Sequence, residues 1–210
     1  MSNYAGPFIP KSGLICLLDA ANTKSYPGSG TTWYDISGNS NNGTLVNGPT
    51  FSQNTILLDG VNDWIRLDTP DLRTGDYTVV GASRRLSGTG RTFSGYLTNW
   101  LMGHWSNYTL NYYAGGWITA VGNGPDDTNW RIYTATSSNS GQSLYANSVG
   151  IIINNTGSAT SGPQGFAIGS YSAFAEYGNA NISYMAVYNR QLTSSEISQS
   201  FYAFRGRYGV

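Results

Sequence analysis

Helical periodicity occurs at one place in this chain, and that scarcity constrains the fold more than any other feature. Ile197, Phe201 and Phe204 stand at i, i+4 and i+7, on one face of a helix. Thr193 offers an N-cap, Glu196 three residues later completes a capping box, and Leu192 with Ile197 forms a hydrophobic staple. Gly206 is the expected stop, with Arg205 and Arg207 at the negative end of the dipole. Just before it, Asn181–Tyr188 reads as a strand. The pair predicts a helical clasp on a β-sheet.

Elsewhere the chain is a series of short apolar or alternating runs separated by turn residues, as in Asp59-Gly60, Ser87-Gly88-Thr89-Gly90 and Gly122-Asn123-Gly124-Pro125. Strands are expected near 13–19, 43–46, 55–58, 64–67, 77–84, 99–105, 108–113, 116–121, 130–136, 143–145, 149–153, 165–168 and 181–188. Short strands at this spacing predict a sandwich or jelly roll. Aromatic residues make up 14% of the 210 residues, enough to fill such a core, and one domain of this length is ordinary for an all-β fold. Residues 1–12, with Gly6, Pro7 and Pro10, read as an N-terminal arm ahead of a domain over 13–210.

The charges balance at 11 basic and 11 acidic residues with no basic run, so no nucleic-acid partner is expected. No apolar stretch approaches 18 residues, so no membrane span is expected, and the opening does not resemble a signal peptide. Cys16 is the sole cysteine, in the apolar run 14–18, and reads as a buried thiol.

Three segments carry a family resemblance. Leu17-Leu18-Asp19-Ala20, the run from Trp33 to Leu45 containing Asp35-Ile36-Ser37-Gly38-Asn39-Ser40-Asn41-Asn42-Gly43-Thr44, and Leu57-Leu58-Asp59-Gly60-Val61-Asn62-Asp63-Trp64 resemble the opening of a laminin G-like, concanavalin A-like jelly roll. Val187–Thr193 with Glu196-Ile197 resembles that family's last strand and trailing helix. The segments 99–105, 111–117 and 127–133 resemble versions of the domain carried by tailed bacteriophages of the cyanophage type. The resemblance implies an all-β, two-sheet antiparallel jelly-roll sandwich with one short C-terminal helix. It further implies a non-enzymatic virion structural protein, a capsid decoration or a tail or fibre component, with a lectin-like domain exposed on the particle. Such a protein would be made in the host cytoplasm, reside in the virion, contact other virion proteins and occur in several symmetric copies. The alternative is a glycan-binding adhesin recognising a host surface polysaccharide.

Candidate chemistry follows from residue type. A glycosidase needs two carboxylates across a sugar. Relatives of the glucanase kind carry a Glu-x-Asp-x-x-Glu strand motif, and this chain has only Glu176 and Glu196. His104, the one histidine, has no nucleophile elbow to serve. The expectation is therefore no enzymatic activity. No cofactor is expected beyond a possible calcium ion, for which Asp59, Asn62 and Asp63 in one turn and Asp126 and Asp127 in another are the candidate ligands. Asp-Gly hairpins and Asx-turns explain the same residues without metal. Sugar binding by ring stacking would fall to Tyr112, Trp117 and Trp105, in the aromatic middle of the chain.

Overall fold

The computed structural model describes residues 8–155, 161–172 and 174–210, and these form fifteen strands and one helix. In the largest sheet β13 (Val149–Asn155), β12 (Gly141–Ala146), β11 (Arg131–Ser138), β7 (Tyr77–Ser87), β15 (Asn179–Tyr188), β5 (Thr55–Asp59) and β4 (Thr50–Ser52) lie side by side in that order. The eighth strand, β1 (Leu14–Asp19), also pairs with β15. A four-stranded sheet runs β14 (Gln164–Ile168), β6 (Trp64–Asp71), β3 (Gly43–Val46), β2 (Thr32–Trp33), and a three-stranded one runs β10 (Tyr108–Ala114), β9 (Trp100–Trp105), β8 (Phe93–Ser94). Every pairing is antiparallel. The bridge Gly95–Phe166 and the bond from Leu97 N to Gln164 O (3.0 Å) tie the two smaller sheets into one layer.

The sandwich expected from the sequence is therefore present, and its core is aromatic. Trp33, Ile65, Phe93, Trp100, Met102 and Phe166 from the smaller sheets meet Ile56, Leu58, Tyr77, Val79, Met185 and Val187 from the larger one, all essentially unexposed. Each such side chain contributes roughly 1.5–3 kcal/mol by leaving water. Trp33 Nε1 is buried without a partner among the described residues, but other polar tips in this core pair with one another. Trp100 Nε1 donates to Tyr77 Oη (3.0 Å), and the Tyr77 and Tyr112 hydroxyls are 2.8 Å apart. Burial pushes the Tyr77 phenol up to about 12.

The clasp forms as the local signals require. The helix α1 (Ser194–Tyr208) carries the capping box of Thr193 and Glu196 and buries Ile197, Phe201, Phe204 and Tyr208. These pack on Val80, Ala82, Tyr184, Ala186 and Tyr188, the face of the large sheet that points away from the sandwich core. Glu196 also takes two bonds from Arg190, 2.6 and 2.9 Å. That guanidinium, helped by the Thr193 backbone, holds its carboxyl at about 2. Thr78 accepts from Leu192 N and donates to Arg190 O, both at 2.9 Å, so the turn before the helix is fixed to β7.

Two local expectations fail. The helix does not stop at Gly206. It runs on to Gly209, whose left-handed conformation (φ 69°) supplies the cap, so Gly206 sits inside the last turn. Nor do residues 116–121 form a strand. They fold back on β10 through one bridge, Tyr113–Trp117, because Ala114 N already bonds Gly116 O at 2.9 Å in a tight turn. Of the arm expected over 1–12, residues 1–7 lie outside the described residues. Ile9 packs against the helix cluster, and Phe8 O accepts from Gln199 Nε2 at 3.0 Å. No helix among the described residues is long and apolar enough to cross a membrane.

Candidate functional site

The strands β9 and β10 meet in a two-residue hairpin at Ser106 and Asn107, both with positive φ (54° and 68°). Primed turns of this kind match the twist of the strands they join. A bulge follows between Tyr108 and Asn111. Asn111, wholly buried, closes it: its Nδ2 reaches Tyr108 O (2.9 Å), Trp105 O (3.1 Å) and Gly103 O (3.4 Å). One amide thus fixes the backbone beneath both Trp105 and Tyr108.

That scaffold carries a cluster of surface rings. The Trp105 and Trp117 rings lie 5.3 Å apart and tilted by 39°, and Tyr113 meets Trp117 edge-on at 5.4 Å. All three are half-buried, and Tyr108 beside them is 40% exposed. The segment that brings Trp117 back is held by Ile118 N on Tyr112 O (2.9 Å) and by Tyr112 N on Thr119 Oγ1 (3.0 Å). Rigid, partly exposed aromatic faces of this sort suit the apolar face of a sugar ring, because little side-chain entropy is lost on contact.

The structure sorts the candidate residues. Trp105 and Trp117 come together as surface neighbours. Tyr112 does not belong with them: it is 0% exposed, its hydroxyl bonded to Tyr77, so its place is in the core and it presents no face to a ligand. Its side chain points inward with those of Met102, its partner across the strands, and Trp100, whose ring it meets edge-on at 6.1 Å.

The acidic candidates are occupied with their own loops. Asp59 accepts from Val61 N (2.8 Å) and from Asn62 N and Asp63 N (both 3.3 Å), bonds that lower its pKa. Asp63, 5% exposed, is raised by burial and by its neighbour Asp59. Asn62 lends its backbone to this turn and to Asn47 Nδ2 (2.8 Å). Asp126 and Asp127 do not converge. The first pairs with Arg85, and the second binds Arg131 through two bonds of 2.6 and 2.8 Å, which hold its carboxyl at about 2. Among the described residues no group of three or more His, Cys, Asp or Glu side chains gathers. The expected buried thiol is in place, and His104 is buried as well. Burial raises the Cys16 pKa. His104, 2% exposed, donates from Nδ1 to Gly90 O (2.9 Å) and is lowered by burial to about 4.

No family model matches the chain, and no curated protein does. Solved structures do. A sialidase of Trypanosoma rangeli in complex with the inhibitor DANA superposes with a TM-score of 0.66 at 18% identity, over 96% of this chain and 34% of that one. Domain 4 of AbnA, a GH43 extracellular arabinanase from Geobacillus stearothermophilus solved with arabinotriose, gives 0.66 at 17%, over 91% of this chain and 99% of that domain. The binding domain of Paraclostridial Mosquitocidal Protein 1 gives 0.58 at 16%, over 92% and 53%. The chain thus spans about a third of the sialidases and nearly the whole of the arabinanase domain.

The likeness is one of fold: a β-sandwich of the kind found in carbohydrate-binding and sialidase structures. It corrects the expectation that the chain is no enzyme. That expectation rested on a missing local motif and on the sequence distance between Glu176 and Glu196. The same sandwich is present within sialidase chains, so distance along the sequence was the wrong ground for excluding activity.

Sequence reasoning missed one feature, a polar cavity beside the C-terminal end of α1. It is lined from five separate stretches of chain, including Asn54, Arg84, Trp130, Asn181 and Arg207. No local pattern announces such a site.

Proposed function

We propose that this domain binds carbohydrate, with the rings of Trp105 and Trp117 as its stacking surface. The observation that carries the reading is the geometry of that pair: two tryptophans 5.3 Å apart, half-exposed, on a hairpin pinned by the buried amide of Asn111. Structures of the same fold include a domain solved with arabinotriose, which supports the class of ligand and supplies a first probe. A panel of neutral oligosaccharides that includes arabinotriose, tested by array and then by calorimetry, examines it. Binding should weaken about tenfold or more in Trp117→Ala, the usual consequence of removing a central aromatic anchor. Equal affinity in the variant would remove the pair from the site.

A second reading places the domain on a bacteriophage particle, in several copies and against other virion proteins, with the ring cluster turned towards a host polysaccharide. It rests on the resemblance of residues 99–105, 111–117 and 127–133 to phage-borne versions of the domain. Mass spectrometry of purified particles tests it, and particles lacking the polypeptide would end it.

A further inference from the structure

Seven of the nine arginines are in ion pairs with carboxylates among the described residues. The other two are Arg84 and Arg205. Arg205 lies over the Phe201 and Tyr202 rings at an exposed position. Arg84 is different. Its Nε is buried without a hydrogen-bond partner among the described residues, and its guanidinium lies 5.5 Å from the centre of the Trp130 ring. It lines a cavity of about 280 Å³. Directly across the strands from Arg84 stands Asn181, 7% exposed, whose Oδ1 is also buried without a partner. A donor and an acceptor left this way cost free energy unless something from outside meets them.

The fold explains why a cavity opens there. Along one edge β15 pairs first with β5, through Ile182, and then with β1, from Tyr184 onward. Ser183 falls between the two partners. On the other edge the pairing with β7 slips between Ile182 and Tyr184. Bulges of this kind re-aim side chains and are common beside binding sites. The helix ends before covering the gap. Tyr208 stacks on Trp130 at 4.7 Å as one wall and donates to Ser183 Oγ (3.0 Å), and Arg207 closes another side through its pair with Asp19 (2.6 Å). Arg207 is balanced by that carboxylate, so the cavity retains one uncompensated positive charge, on Arg84. Around it stand Asn54, Asn181 and Gln53, which offer amide groups, and a second recess of about 430 Å³ continues past Trp130.

We propose that this cavity is a second saccharide subsite, selective for an acidic sugar whose carboxylate is held by Arg84 and whose hydroxyls meet the amides of Asn181 and Asn54. One guanidinium matches one carboxylate with two parallel bonds, and amides pair with sugar hydroxyls as both donor and acceptor. The size is at the small end for small-molecule sites, about 300–1,000 Å³, which suits one or two sugar residues. This deepens the carbohydrate reading and rests on it, but uses none of the residues of the aromatic hairpin.

Calorimetry on the whole chain tests it, with oligogalacturonate, glucuronate and N-acetylneuraminate as probes and neutral oligosaccharides as controls. At least one carboxylated probe should bind about tenfold or more tightly than its neutral counterpart. Arg84→Gln should abolish that preference, and Arg84→Lys should restore little of it, since an ammonium cannot make the bidentate contact. Trp117→Ala should leave it intact while weakening neutral ligands, so failure of either site can be told from failure of the other. The proposal is overturned if no carboxylated probe outbinds its neutral counterpart, or if Arg84→Gln leaves the preference unchanged. It is equally overturned if inorganic sulfate at matched ionic strength binds as tightly as the sugars, which would make this a plain anion site. An Asn181→Ala variant gives an independent reading should Arg84→Gln fail to fold: it should weaken binding of the carboxylated probe, and unaltered affinity for that probe would also count against the proposal.

Discussion

Single residues in this molecule are set by burial more than by chemistry, and His104 has the clearest consequence. Its pKa in the fold, about 4, lies below the unfolded value of roughly 6.5. The neutral ring is therefore the form the fold accepts. Its contribution is complete above about pH 6.5 and is lost as the pH falls towards 4, by on the order of 3 kcal/mol. Asp127 and Glu196, both held at about 2, contribute above roughly pH 4 and lose that contribution only below it. Urea unfolding across pH should therefore show two steps of acid destabilisation, and His104→Gln should flatten the first while sparing the second. A calcium prediction belongs at the same scale. With Asp59 spent on three backbone amides and Asp126 and Asp127 on separate arginines, adding a chelator should leave the melting temperature unchanged. A drop of several degrees would instead place a cation on Asp59 and Asp63.

At the level of elements, the C-terminal helix was legible because every signal for it is local. Thr193, Glu196, Leu192 and Ile197 lie within six residues, and the structure joins them as their spacing requires. Removing the cap with Thr193→Ala should cost about 1 kcal/mol, or a shift of roughly 2–4 °C in melting temperature for a chain of this size. The strands were legible wherever an apolar run had room. The two-residue β2 and β8 and the three-residue β4 were missed because they are too short to carry a period. The segment 116–121 was misjudged because its apolar residues serve a fold-back onto β10. Packing of the sheets sets a further limit invisible in the sequence. A Cβ at Gly81 would sit 2.5–2.8 Å from the Phe93 ring atoms of the facing layer. Gly81→Ala should therefore destabilise by about 1–3 kcal/mol through overpacking, measurable by denaturant unfolding.

For the molecule as a whole, composition and turn spacing were enough for an all-β sandwich, because that inference needs only the alternation of buried runs and turns. The binding surface was half legible. Trp105, Tyr112 and Trp117 are alike as residue types, and only the folded strands and the fold-back after β10 separate the buried ring from the half-buried pair. Arg84 and its cavity were illegible, since Asn54, Arg84, Trp130, Asn181 and Arg207 are brought together by strand order and a bulge. The same reasoning undoes exclusion of enzymatic activity by missing motifs, since side chains meet across a sandwich regardless of their distance along the chain. The central claim is that the Trp105–Trp117 pair is the carbohydrate surface, and the six tryptophans permit a direct test. Their six indole N–H signals can be followed by NMR while a neutral oligosaccharide from the panel is added. The signals of Trp105 and Trp117 should move together and saturate, with those of the buried Trp33 and Trp100 fixed. Binding that leaves the Trp105 and Trp117 signals in place would contradict the account.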